Sequence, residues 1–188
     1  MYFFIEISAV IFGLAYLFFL IKQHIICWIF GIIGSLLSIF LFFNSQLYSE
    51  AILYSYYVFM GFYGFYLWNQ KEENEEHSLV LKIKELAFKF HLYFLIICLM
   101  LSFLLAYILE AYTNADKAYL DAFTTIFSFL ATYLEAKKIL SAWIYWIVIN
   151  GLTIVLYYSK DLDVYAGLSV LYFVMSFVGY NRWKKAMI

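Results

Sequence analysis

The sequence predicts an all-α integral membrane protein with seven transmembrane helices in a 3+1+3 parallel repeat. Composition, the spacing of apolar segments and a self-match at a single offset lead there. Of 188 residues, 66% are hydrophobic and 13% charged, and the mean hydropathy is +0.86. Soluble domains carry roughly a quarter charged residues, so almost none of this chain can fold in water. Proline is absent, which leaves any hinge to Gly, Ser or Thr positions. The net charge of -1 gives no basis for a nucleic-acid partner.

A bilayer core of about 30 Å needs about 20 apolar residues per helix. Such segments are predicted at 2–21, 25–43, 48–68, 90–109, 119–136, 141–158 and 164–181. Polar breaks separate them: Lys22-Gln23-His24, Asn44-Ser45-Gln46, a charged stretch from Asn69 to Lys89, Glu110 to Lys117, Lys137-Lys138, and Ser159 to Asp163. The first segment has no basic n-region and no small-residue cleavage site, so it is expected to stay as a helix. The fifth is the most polar, with Asp121, Thr124, Thr125, Ser128 and Glu135. Such a stripe must face protein rather than lipid. Seven spans place the termini on opposite faces. One face would carry only Lys117 and Lys160, and the other the remaining ten basic residues. The positive-inside rule then puts the N-terminus outside and the C-terminus in the cytoplasm.

Sliding the chain against itself by 115 residues gives a match without gaps. Trp28 falls on Trp143, Ala51 on Ala166, Tyr57 on Tyr172, Gly64 on Gly179 and Trp68 on Trp183, while Glu6 falls on Asp121. The repeat relates spans 1–3 to spans 5–7. Its expected division is a first three-helix repeat over 1–68, a cytoplasmic linker with connector helix over 69–115, a second repeat over 116–183, and a tail over 184–188. The connector turns the second copy back, so both run the same way. Parallel-repeat transporters are built like this, with cargo bound near the bilayer midplane.

Catalytic chemistry is not visible. The run from Lys71 to His77 reads as a solvated loop, and His24, His77 and His91 stand at unrelated positions. Cys27 and Cys98 lie in apolar runs without metal-type spacing. No nucleophile cluster or acid–base pair is evident, so an enzyme is not expected, nor a cofactor or metal. No Asp, Glu, Lys, Arg or His lies near the middle of a span, and there is no P-loop. Ion-driven carriers usually need a charged group or a broken helix at that depth. The expectation is a carrier that equilibrates its solute, with net uptake left to trapping downstream.

The candidate site centres on Trp143, Trp146 and Asn150, spaced i, i+3, i+7 and so on one stripe of a helix. An amide in mid-membrane is costly without a polar partner, and two indoles beside it suit a flat, polar, cationic ring. A helix–helix hydrogen bond is the alternative role for Asn150. The first copy places Trp28, Gly31 and Ser35 at the equivalent positions. Tyr54 and Tyr57 in span 3 match Ser169 and Tyr172 in span 7, and Thr124 and Ser128 add hydroxyls from span 5. Asp121 and Glu6 lie near the outer ends of their spans, where they could draw in a cation or serve as ordinary interfacial carboxylates.

With these residues in place, the chain resembles the PnuC family of bacterial nicotinamide riboside transporters over most of its length. The matching pieces are Trp28-x-x-Gly31, Leu47-Tyr48, Tyr63-Gly64 with Trp68, Asp121-Ala-Phe-Thr-Thr125 and Lys137-Lys138. Trp143-x-x-Trp146-x-x-x-Asn150 and Gly179-Tyr180 leading to Trp183-Lys184-Lys185 complete the set. The resemblance implies a fold similar to the SWEET sugar carriers, a homotrimer, and facilitated diffusion in the bacterial inner membrane. It also implies a cytoplasmic kinase that phosphorylates the product, and a vitamin-binding role for the Trp-x-x-Trp-x-x-x-Asn element. The pyridinium of nicotinamide riboside would lie against Trp143 and Trp146, worth about 1–2 kcal/mol each when desolvated. Family members often carry glutamine where this chain has Tyr54, and some relatives are assigned to thiamine. Thiamine or another vitamin is therefore the alternative cargo, and a non-transport multipass membrane protein is the remaining, less favoured reading.

Overall fold

A computed structural model describes residues 2–44, 48–70, 82–112, 117–159 and 163–187. Among them the chain forms seven α-helices: α1 (Tyr2–Ile21), α2 (Ile26–Asn44), α3 (Tyr48–Asn69), α4 (Phe88–Tyr112), α5 (Ala118–Ala136), α6 (Ala142–Ser159) and α7 (Asp163–Met187). The predicted spans fall on these helices, most ends within two or three residues. The largest difference is α7, which runs past residue 181 to Met187. Trp183 is fully buried and so ties the extension down, while Lys184 and Lys185 complement the negative end of the helix dipole. The charged run 71–77 lies outside the described residues, as do parts of the breaks after α2, α4 and α6.

Four helices are long and apolar enough to cross a membrane on composition alone: α1 from Phe3, α2, α4 and α6. α3 and α5 hold more tyrosine and hydroxyl residues, and α7 carries Arg182, Lys184 and Lys185 near its end. In α5 two of the hydroxyl protons are satisfied within the helix. Thr132 donates to the Ser128 carbonyl at 2.8 Å, and Thr124 to the Leu120 and Asp121 carbonyls at 3.0 Å. Such back-bonding lets polar side chains be buried without a partner from another helix.

The chain divides into two compact units. The first holds Met1–Ile83 with Ala136–Lys138, and the second holds most of the remainder. In the first, α2 packs against both α1 and α3. In the second, Phe127, Leu130, Ala131 and Leu134 of α5 form a core with Cys98 of α4 and Ala142 and Ile149 of α6. α4 buries Cys98, Ser102 and Ala106, a stripe of small side chains at i, i+4, i+8 that permits close approach.

The repeat reappears in the geometry. The turns after α1 and after α5 each place one residue in the left-handed region, Gln23 at φ 56° and Lys138 at φ 52°, at matching positions. In the first unit Trp28 meets Trp68 edge to face, with centroids 5.4 Å apart at 86°. In the second Trp143 meets Trp183 at 5.4 Å and 87°. A glycine seats each buried indole, Gly64 under Trp28 and Gly179 under Trp143; at either, a Cβ would run into the ring. One tryptophan clasp is thus built twice.

Candidate functional site

The stripe on α6 forms because the helix runs unbroken from Ala142 to Ser159, carrying three positions along one side. Trp143 is 1% exposed and held between Gly179 and Trp183. Trp146 is half-buried and packs against the second unit's core. Neither indole N–H has a hydrogen-bond partner among the described residues, although both atoms are buried. A buried donor without a partner costs about 1–3 kcal/mol. Trp28, the counterpart of Trp143, has the same unpartnered N–H.

Asn150 is buried, and its amide nitrogen donates to the Ser176 hydroxyl on α7 at 3.2 Å. Ser176 in turn donates to the Tyr172 carbonyl at 2.8 Å. The costly mid-helix amide therefore has its polar partner. Thr124 and Ser128 are buried on α5, whereas Asp121 and Tyr172 are half-buried. In the first unit Ser35 is buried on α2. Tyr54 lies between Phe42 at 5.2 Å and Tyr57 at 5.3 Å, so an aromatic cluster occupies the position where the family often carries glutamine.

The structure joins Asn150 to Ser176 and to the backbone of Tyr172, and it clamps Trp143 on α7. It draws no hydrogen bond from Thr124 to the α6 stripe among the described residues, since that hydroxyl is turned back on its own helix. Sequence reasoning passed over two residues. Ser176 is one more small residue in a mixed helix, and no local signal in the sequence marks it as the partner of Asn150. Lys138 was read as part of a polar break, yet it is 1% exposed. Its ammonium lies 4.4 Å above the Trp68 ring and 3.4 Å from the Gln23 side-chain oxygen. Burial lowers its pKa to about 8, against an opposing contribution from Cys27. The 115-residue offset, which aligns Gln23 with Lys138, was the clue.

Titratable residues do not cluster here. Among the described residues no group of His, Cys, Asp or Glu could hold a metal ion, and the stripe itself offers only aromatic faces, N–H donors and one amide. A 3+1+3 helical repeat is the build of the parallel-repeat class of multipass membrane transporters.

Comparison with known proteins agrees. Residues 3–185 match the family described as nicotinamide mononucleotide transporter, and the chain belongs to that family. It is similar to the nicotinamide riboside transporter PnuC of Escherichia coli K12, at 25% identity over 176 residues, covering 81% of this chain and 72% of the relative. The PnuC of Shigella flexneri gives the same values. A crystal structure of the vitamin B3 transporter PnuC superposes with a TM-score of 0.80 at 26% identity, covering 98% of this chain and 82% of that one.

Proposed function

We propose that this chain carries nicotinamide riboside across the bacterial inner membrane by facilitated diffusion, with net uptake set by a cytoplasmic kinase that phosphorylates the product. The observation that supports this reading best is the α6 stripe, an indole with exposed surface and an unpartnered N–H one turn before a buried carboxamide. A pyridinium ring would stack on Trp146, and its carboxamide would meet Asn150. Ribose hydroxyls would donate to Thr124 and Ser128; the Thr124 proton is already engaged and leaves lone pairs to accept. Trp143, at 1% exposure, backs the stripe as its buried wall, and Asp121 favours approach of a cation. Trp28, Ser35, Tyr54, Tyr57 and Tyr172 are further candidates for contact with cargo along the route.

The family's description names the mononucleotide and its relatives the riboside, two compounds that differ by one phosphate. No Lys, Arg or His stands near the middle of any span to neutralise a phosphate, and an unpaired anion at that depth is prohibitive. The riboside is the better fit. The arrangement of basic residues supports an N-terminus outside and a C-terminus inside, and the resemblance supports a homotrimer.

Titration of purified protein with nicotinamide riboside and with thiamine decides the cargo; binding of thiamine alone would reassign it. Uptake into vesicles should stop at the equilibrium level. Accumulation beyond that level under an imposed proton or sodium gradient would refute facilitated diffusion.

A further inference from the structure

We propose that Ser176 determines specificity by fixing the Asn150 carboxamide with its oxygen as the free end. The site then selects a ring that bears a hydrogen-bond donor, a carboxamide, over one that bears a carboxylate. This deepens the cargo reading above and rests on it.

The orientation follows from counting hydrogens. A serine hydroxyl has one proton and two lone pairs. The Ser176 proton is engaged on the Tyr172 carbonyl one turn back, at 2.8 Å. Towards Asn150 the hydroxyl can then only accept, so the amide end facing it, at 3.2 Å, must be the NH2. The Asn150 oxygen takes no hydrogen bond among the described residues, and it is not among the atoms sealed from their surroundings. Rotating the amide would set its oxygen against that of Ser176 unless the hydroxyl proton left the Tyr172 carbonyl, so the 2.8 Å back-bond is what holds the orientation.

The repeat provides an internal control. Packing features occur in both copies, as the two tryptophan clasps show. The amide–hydroxyl pair does not. At the matching places the first copy has Ser35 and Gly61, and the Ile32 side chain fills the space a Cβ on Gly61 would need. A pair required merely to hold two helices together would be expected twice.

The test compares affinities of purified wild type and Ser176→Ala for nicotinamide riboside and for nicotinic acid riboside, which carries a carboxylate in place of the carboxamide. Wild type should prefer the carboxamide by roughly tenfold or more, the range set by one unmade buried hydrogen bond. In Ser176→Ala the amide is free to turn, and the preference should shrink at least about fivefold, chiefly through tighter carboxylate binding. Ser176→Thr, whose hydroxyl also bonds back to the preceding turn, should keep the wild-type ratio. If Ser176→Ala does not fold, Ser176→Cys, near serine in size and only a weak hydrogen-bonding group, takes its place. Equal wild-type affinities, or a ratio unchanged in the variant, would overturn the role of Ser176 and leave the cargo reading standing. Failure of wild type to bind nicotinamide riboside would overturn both.

Discussion

Replacing Gly179 with alanine should destabilise the protein by about 1–3 kcal/mol, the usual penalty for forcing carbon into a packed core. The added methyl group would overlap the six-membered ring of Trp143. That indole is 1% exposed and stands edge-on to Trp183 at 5.4 Å, so it cannot move aside without disturbing its neighbour. For a chain of this size about 1 kcal/mol corresponds to 2–4 °C, so the unfolding midpoint in detergent should fall by roughly 2–12 °C. Gly64→Ala should do the same through Trp28. Gly151→Ala is the control: its methyl would meet Phe173 at an ordinary 3.5 Å, and alanine favours a helix by up to about 1 kcal/mol. Trp143→Phe shortens the ring, so combining it with Gly179→Ala should return about 1 kcal/mol relative to the sum of the single changes. A Gly179→Ala variant as stable as Gly151→Ala would refute the clasp.

Lys138 is held at a pKa of about 8, against an ordinary value of 10.5, by burial. Above pH 8 the unfolded chain binds more protons at this residue, so its contribution to stability rises between pH 8 and about 10.5. The wild-type unfolding midpoint should therefore gain on that of Lys138→Met across this window; parallel curves would show that the ammonium is not buried. Trp68 donates its indole N–H to the Ala136 carbonyl at 2.9 Å in a buried setting. Trp68→Phe should lower stability by about 1–3 kcal/mol, read from the same unfolding curves. Trp146→Leu should weaken nicotinamide riboside binding on the order of 5–30-fold, the equivalent of one desolvated cation–π contact, as measured by titration calorimetry.

The helices were legible because apolar runs of membrane length, bounded by charge, leave little choice of structure. The repeat was legible because large and small residues with few substitutes, Trp28 with Gly64 and Trp143 with Gly179, recur at one offset. α5 looked weakest in the sequence, since a hydropathy sum cannot know that Thr124 and Thr132 bond to their own helix. The partner of Asn150 was hidden for another reason. Its bond to Ser176 spans 26 residues, and nothing in local spacing tells which hydroxyl a buried amide will find. Lys138 was misleading, because a lysine at a helix end normally reaches water. Here a left-handed turn aims it at Trp68 and Gln23.

The most direct measurement is a binding isotherm for nicotinamide riboside on purified Asn150→Leu beside wild type, with thermal unfolding of both. Wild type should bind, and Asn150→Leu should fold and show no binding. An Asn150→Leu variant with wild-type affinity would mean that the cargo, whatever carries it, does not meet the α6 carboxamide.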